Sequence, residues 1–178
     1  STSDRGRLLT IVGIGGVGKT LLALVAAKQL STSVAEVTRY SDGIYFVALD
    51  GIAEQPERAL IEMEIALAMA NAIGFTLRGH QPPQTQLQQY LRTKKMLLIL
   101  DNMEHLIDGA QVITPLLQAA SELRLLATSR EPLDLQGEQL LRLHGLKPPA
   151  DRFHIARVAD AAGALRWQDN QAVTLFAY

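Results

Sequence analysis

The chain has 178 residues, enough for one globular domain or one domain with a small appendage. Lysine and arginine number 17 and aspartate and glutamate 18, a net charge of −1, which excludes the clustered positive excess of a general nucleic-acid or membrane-surface binder. Hydrophobic residues at 48% exclude a disordered chain, and the lack of cysteine excludes a disulfide framework, a thiolate zinc site and a cysteine nucleophile.

The same lack of cysteine is compatible with a reducing cytoplasm, the expected location. Residues 1–7 are polar, lack the apolar core of a signal peptide, and are expected to be disordered or a cloning remnant. The longest unbroken apolar run, 21–27, is far short of the ~18 residues a membrane helix needs, so no membrane partner is expected.

Leu8–Val12 is the first predicted strand, and 19–30 the helix after it. A second strand over 44–49 lies between Asp42-Gly43 and Asp50-Gly51 turn signals. A helix over 56–73 follows, with Pro56 near its start and Gly74 just past its end. It is apolar on nearly every side, which calls for cover on more than one face. After a loop with Gly79 and Pro82-Pro83 come a short helix over 84–93 and the strand 96–100, MLLIL. Five consecutive apolar residues mark a strand covered on both faces. A helix over 104–120, a strand over 123–127 and a last strand near 139–143 complete the core. The run 169–178 reads as a capped amphipathic helix, which either needs a partner or packs back on the sheet. Alternation of this kind predicts an α/β fold of three layers, helices on both sides of a mostly parallel five-stranded sheet.

The segment Gly13-Ile14-Gly15-Gly16-Val17-Gly18-Lys19-Thr20 directly follows the first strand and opens a helix, the context a GxxxxGKT phosphate loop requires. Glycines let backbone N–H groups converge on a phosphate, and the helix points its positive end there. Gly13, Gly15, Gly16, Val17, Gly18, Lys19, Thr20 and Leu21 are therefore the candidate nucleotide-binding residues. Lys19 supplies a point charge for the β- and γ-phosphates, and the Thr20 hydroxyl can ligate Mg²⁺. Gly13, Gly15 and Gly18 also satisfy GxGxxG, the dinucleotide fingerprint, and spacing alone does not separate the two. Lys19-Thr20 favours the phosphate loop. So does Asp50, the one obvious ribose-binding acid, which comes later than the ~20 residues that fingerprint expects. A glycine-rich turn without a ligand is the remaining alternative.

A phosphate loop needs an acid at the end of another buried strand, and Asp101 follows MLLIL. Asp101 and Thr20 are thus the candidate metal residues. Asp101-Asn102-Met103-Glu104 is equally a D-x-x-E capping pattern. Glu104 either prepares an attacking water or is the reciprocal half of that cap. His105 is read as a surface helix residue, and His80, His144 and His154 show no metal-ligand spacing. Arg130, after the strand ending Ala127-Thr128-Ser129, could reach a γ-phosphate; the alternative is a surface arginine pairing with Glu131 or Asp134.

These residues resemble a known group. GIGGVGKTLLA (13–23), LLILDNMEHL (97–106), LLATSREPLDLQGEQLLRL (125–143) and IYFVALDGI (44–52) are similar to the STAND class of P-loop ATPases. Within that class the match is to the NB-ARC-like (AP-ATPase) domains of bacterial LuxR- and SARP-type transcriptional regulators, over about residues 8–146. The resemblance implies that ATP or ADP binds with Mg²⁺, that hydrolysis is slow, and that the domain acts as a switch. Such domains hold ADP at rest and form homo-oligomers with ATP. It also implies Lys19 and Thr20 as Walker A contacts, Asp101 as the Walker B acid and Arg130 as a sensor-like arginine. Asn102 stands where many relatives carry a second acid, leaving that role vacant or moved to Glu104. The family's winged-helix and effector domains are absent from the sequence, so residues 147–178 are expected to be a linker and the start of a helical subdomain within a longer regulator.

The expected function is an ATP/ADP-controlled signalling module with weak ATPase activity and no direct nucleic-acid contact. The rival is a small-molecule or nucleotide kinase, for which Arg78 and Arg92 near the Gly79–Pro83 loop would have to serve a lid.

Overall fold

Runs of apolar residues with strand length dictate the centre of this molecule, because only a strand covered on both faces can bury five in succession. A computed structural model describes residues 6–53 and 57–145. Its strands are β1 (Leu8–Val12), β2 (Gly43–Ala48), β3 (Met96–Asp101), β4 (Arg124–Ser129) and β5 (Glu138–Arg142). They form one all-parallel sheet in the order β2-β3-β4-β1-β5. The helices are α1 (Lys19–Thr32), α2 (Val34–Arg39), α3 (Arg58–Ala72), α4 (Pro83–Leu91) and α5 (Ile113–Ala119).

Side-chain alternation along β3 builds both cores. Met96, Leu98 and Leu100 are buried with Ile65 and Met69 of α3, Leu87 of α4 and Leu116 of α5. Leu97 and Ile99 join Ile11, Leu126, Ala23 of α1 and Tyr40 after α2 on the opposite face. Removing each such leucine from water contributes roughly 1.5–3 kcal/mol. The result is the expected three-layer α/β/α arrangement. Among the described residues no helix is long and apolar enough to cross a membrane.

Three details depart from the sequence expectations. The helix expected over 104–120 is instead a 3₁₀ turn at Met103–His105, a 3₁₀ stretch at Ile107–Val112 and then α5. Gly109 lies within this stretch, where a Cβ would meet Ile61 Cγ2 of α3 at 2.4 Å. Backbone packs directly on α3 at this point, and Leu106 and Ala110 are wholly buried beside it. Helix α2 has no counterpart among the elements that the sequence pattern predicts. Finally Arg7, expected from the sequence to belong with the leading residues, is buried. Its Nη1 donates to the carbonyls of Leu117 and Ala120 at 2.5 and 2.8 Å and so satisfies the end of α5. Burial, with Arg124 nearby, lowers its pKa from the ordinary guanidinium value.

The chain divides into a unit ending at Leu143 and a second from His144 onward. The helix expected over 169–178 and the linker before it lie outside the described residues, as does Pro56.

Candidate functional site

In an all-parallel sheet every strand ends at the same edge, so the polar residues that follow the strands collect there. The glycine-rich loop follows β1, Asp50 follows β2, Asp101 ends β3 and Ser129-Arg130 ends β4. Parallel register brings Val12 beside Ser129, and the Gly13 N–H donates to the Ser129 carbonyl at 3.2 Å. Strand order also separates the two glycine-motif alternatives. In the dinucleotide fold the second strand adjoins the first, which lets its acid reach the ribose. Here β1 lies between β4 and β5, and β2 with Asp50 is at the far edge.

The loop has the backbone that its glycines permit. Gly16 and Gly18 take φ of +77° and +95°, a region costly for other residues, and a Cβ at either would meet open space. Gly18 is the N-cap of α1, with no side-chain cap and no acid in the first turn. The helix N–H groups and the positive end of its dipole are thus left for an outside anion. Lys19 is only 8% exposed, and its Nζ donates to the carbonyls of Gly13 at 2.8 Å and Ile14 at 3.3 Å. Those bonds hold the ammonium against the start of the loop. Val17 and Leu21 flank it, with Leu21 half exposed on the first turn of α1.

Asp101 is not a helix cap, a correction to one of its two readings. Its Oδ1 accepts from the Thr20 hydroxyl at 2.8 Å and from the Thr128 hydroxyl at 2.6 Å, and Oδ2 accepts from Thr20 at 3.1 Å. Thr128 is not among the site residues that the sequence motifs point to. The usable signal was a polar residue closing the apolar run of β4, LLATS.

Arg130 pairs with neither Glu131 nor Asp134. Its Nε donates to Glu104 Oε1 at 2.9 Å, so two candidates chosen separately from sequence meet each other. Glu104 therefore does not close a capping box. Its second oxygen is buried and has no partner among the described residues. The Arg130 guanidinium also reaches the loop, lying 3.8–3.9 Å from where a Cβ on Gly15 would sit. With its side chain 66% exposed, this arginine is held by an ion pair of the exposed kind, which is weak. Glu104, Arg130, Asp50, Asn102, His105 and Glu131 line a cleft of about 500 Å³. His105, read from sequence as a surface residue of a helix, instead ties the loop after β2 to this region, its Nε2–H donating to the Ile52 carbonyl at 2.9 Å.

Hard oxygen donors, one carboxylate and one hydroxyl, suit Mg²⁺, which keeps several waters and takes the rest of its shell from phosphate. Thr20 and Asp101 fit that pattern, and no cluster of three His, Cys, Asp or Glu side chains exists among the described residues to suit a cage-type metal.

The NB-ARC domain family model matches residues 1–133. A Mycobacterium tuberculosis protein named as an HTH-type transcriptional regulator is 36% identical over 135 residues, 75% of this chain and 14% of that protein. The regulatory protein AfsR of Streptomyces griseus is 35% identical over 163 residues, 88% of this chain and 15% of its own length. A solved signal transduction ATPase with numerous domains (STAND) from Pyrococcus horikoshii, carrying a tetratricopeptide repeat sensor, is 16% identical with a TM-score of 0.45. That likeness covers 82% of this chain and 22% of the other. The chain thus spans about one seventh of the length of the curated regulators it matches. It belongs to the NB-ARC domain family.

Proposed function

From membership of the NB-ARC family as the premise, we propose that this chain is an ATP/ADP-binding switch domain with slow Mg²⁺-dependent ATP hydrolysis. Its setting is the nucleotide-binding core, residues 8–146, of a longer signal-transducing transcriptional regulator. The observation that carries this reading is the meeting, at one sheet edge, of a glycine loop, a buried Lys19 and a Thr20–Asp101 contact of 2.8 Å.

In this reading the loop amides and Lys19 bind the phosphate chain, with Lys19 exchanging its two carbonyl partners for phosphate oxygens. Thr20 and Asp101 hold Mg²⁺, which when bound offsets phosphate charge. Arg130 adds a planar, permanently charged donor that suits a γ-phosphate. Glu104 is the general base for water, and its ion pair with Arg130 restrains it. The base becomes free once the arginine has moved to phosphate. Solvent-exposed Leu24, Val25, Val34 and Val37 on α1 and α2 favour further domains of the same chain, or a second copy, as neighbours.

Arg78 does not favour the kinase alternative, because it lines a separate cleft with Gln81, Gln86 and Tyr90. Equilibrium dialysis with ADP and Mg²⁺ tests the binding reading, and retention of ADP by the wild-type chain is expected. No binding, or stoichiometric transfer of phosphate to a metabolite in a phosphorylation screen, would overturn it.

A further inference from the structure

Asp101 stands at the end of a strand, where a carboxylate has several rotamers open to it. Two hydroxyls hold it, and they differ in kind. Thr20 belongs to the glycine loop and is exposed, so its hydroxyl is available to other partners. Thr128 is 1% exposed, and its β-branched side chain in β4 has little freedom at χ1. The paired register of β3 and β4 runs as far as Leu100 opposite Ala127. One step further, the Asn102 N–H donates into the Thr128 hydroxyl oxygen at 3.0 Å, and that hydroxyl donates onward to Asp101 Oδ1 at 2.6 Å. Asn102 itself adopts φ of +70°, which turns the chain out of the strand directly after the acid. One threonine side chain thus replaces the next rung of the ladder and locks the carboxylate that the rung would have left free. The bond at 2.6 Å has the length of a hydroxyl bound to a charged acceptor, the stronger kind.

We infer that Thr128 is a positioning residue that sets the rotamer of Asp101 and, through it, how strongly nucleotide affinity depends on Mg²⁺. The inference rests on the reading above in which Thr20 and Asp101 hold the cation. Thr20 is free to exchange Asp101 for the cation, whereas Thr128 stays on Oδ1 throughout.

The test measures ADP affinity by titration calorimetry in Mg²⁺ and in EDTA, for wild type, Thr128→Val and Thr128→Ser. A melting curve for each variant establishes that it is folded. In wild type, Mg²⁺ tightens ADP binding. In Thr128→Val most of that gain disappears and the Mg²⁺ concentration needed rises about tenfold or more, a size typical of losing a partner that orients a metal ligand. Affinity in EDTA stays within about twofold, since the loop and Lys19 are untouched, on the ordinary expectation that well-separated sites act independently. Thr128→Ser restores the wild-type dependence because it keeps the hydroxyl. Thr128→Ala, measured in the same way, takes the place of Thr128→Val if the latter does not fold. A wild-type Mg²⁺ response in the variant lacking the hydroxyl overturns the inference alone. So does an equal loss in Mg²⁺ and EDTA, or a serine variant that behaves like valine. Wild-type ADP binding that ignores Mg²⁺ overturns the metal reading itself, and the inference with it.

Discussion

Two clefts of similar size show what distinguishes a candidate site from a surface hollow. The cleft of about 630 Å³ beside α4 is the larger and has an arginine, three glutamines and a stacked Phe75–Tyr90 pair 4.4 Å apart. Several of its polar groups satisfy one another. Gln86 accepts the Arg78 N–H at 2.8 Å and donates to the Gln81 carbonyl at 2.7 Å, which knits the loop before α4. The cleft of about 500 Å³ beyond β3 and β4 holds Glu104 with one oxygen on a weakly held arginine and the other without a partner among the described residues. Volume does not separate the two. What separates them is chemistry left available at an edge where parallel strands all end.

A second contrast lies in two neighbouring strands. Thr128 and Thr10 are both buried, and Thr10 pairs in register with Ala127, one residue away. Thr128 has two hydrogen-bond partners and the Thr10 hydroxyl has none among the described residues. The same side chain bridges two neighbours in one strand and is a small liability in the other.

The largest effect in the smaller cleft is expected of Glu104→Gln. If Glu104 acts as the proposed general base, the change should slow turnover by about a hundredfold, with ADP affinity little changed. Phosphate release at the wild-type rate would assign the carboxylate to the ion pair alone. Next in size is Lys19→Ala, for which ATP affinity should fall by about ten- to a hundredfold, the value of a charge-assisted contact of roughly 1.5–3 kcal/mol. Arg78→Ala is the matching change in the larger cleft and should leave affinity as it was. Equal losses from the two would erase the distinction between the clefts. Arg130→Ala should lower the preference for ATP over ADP several-fold while changing ADP affinity less, because ADP lacks the γ-phosphate that the arginine suits. Competition titrations showing the same loss for both nucleotides would remove the sensing role. The smallest effect belongs to the pair of threonines. Thr10→Val removes a buried hydroxyl without a partner among the described residues and should stabilise the fold by about 1 kcal/mol, raising Tm by roughly 2–4 °C. A lowered Tm would reveal a partner for that hydroxyl.

Much of this was legible in the chain itself. MLLIL followed by aspartate announces a buried strand that delivers an acid to its end, and Asp101 is there. GIGGVGKT after an apolar strand announces a loop whose glycines need positive φ, as Gly16 and Gly18 do. Periodicity failed where one residue mattered more than the pattern. The 104–120 segment looks helical in composition, but its first half is 3₁₀, and Gly109 within it packs its backbone against Ile61 of α3. Arg7 could not be recognised from its neighbours either, because the carbonyls it satisfies lie more than a hundred residues away.

Local order along the chain determined the alternation of strands and helices, the phosphate-type loop and the acid after the third strand, since each is encoded by residues within a few positions of one another. The tertiary structure alone decided the order β2-β3-β4-β1-β5, and with it which polar residues meet. Thr128 on Asp101 and Arg130 on Glu104 are contacts across 27 and 26 residues of sequence, made by parallel register rather than by spacing. Hydrogen bonds and ion pairs act over a few ångströms of space, and only a folded sheet converts sequence distance into that.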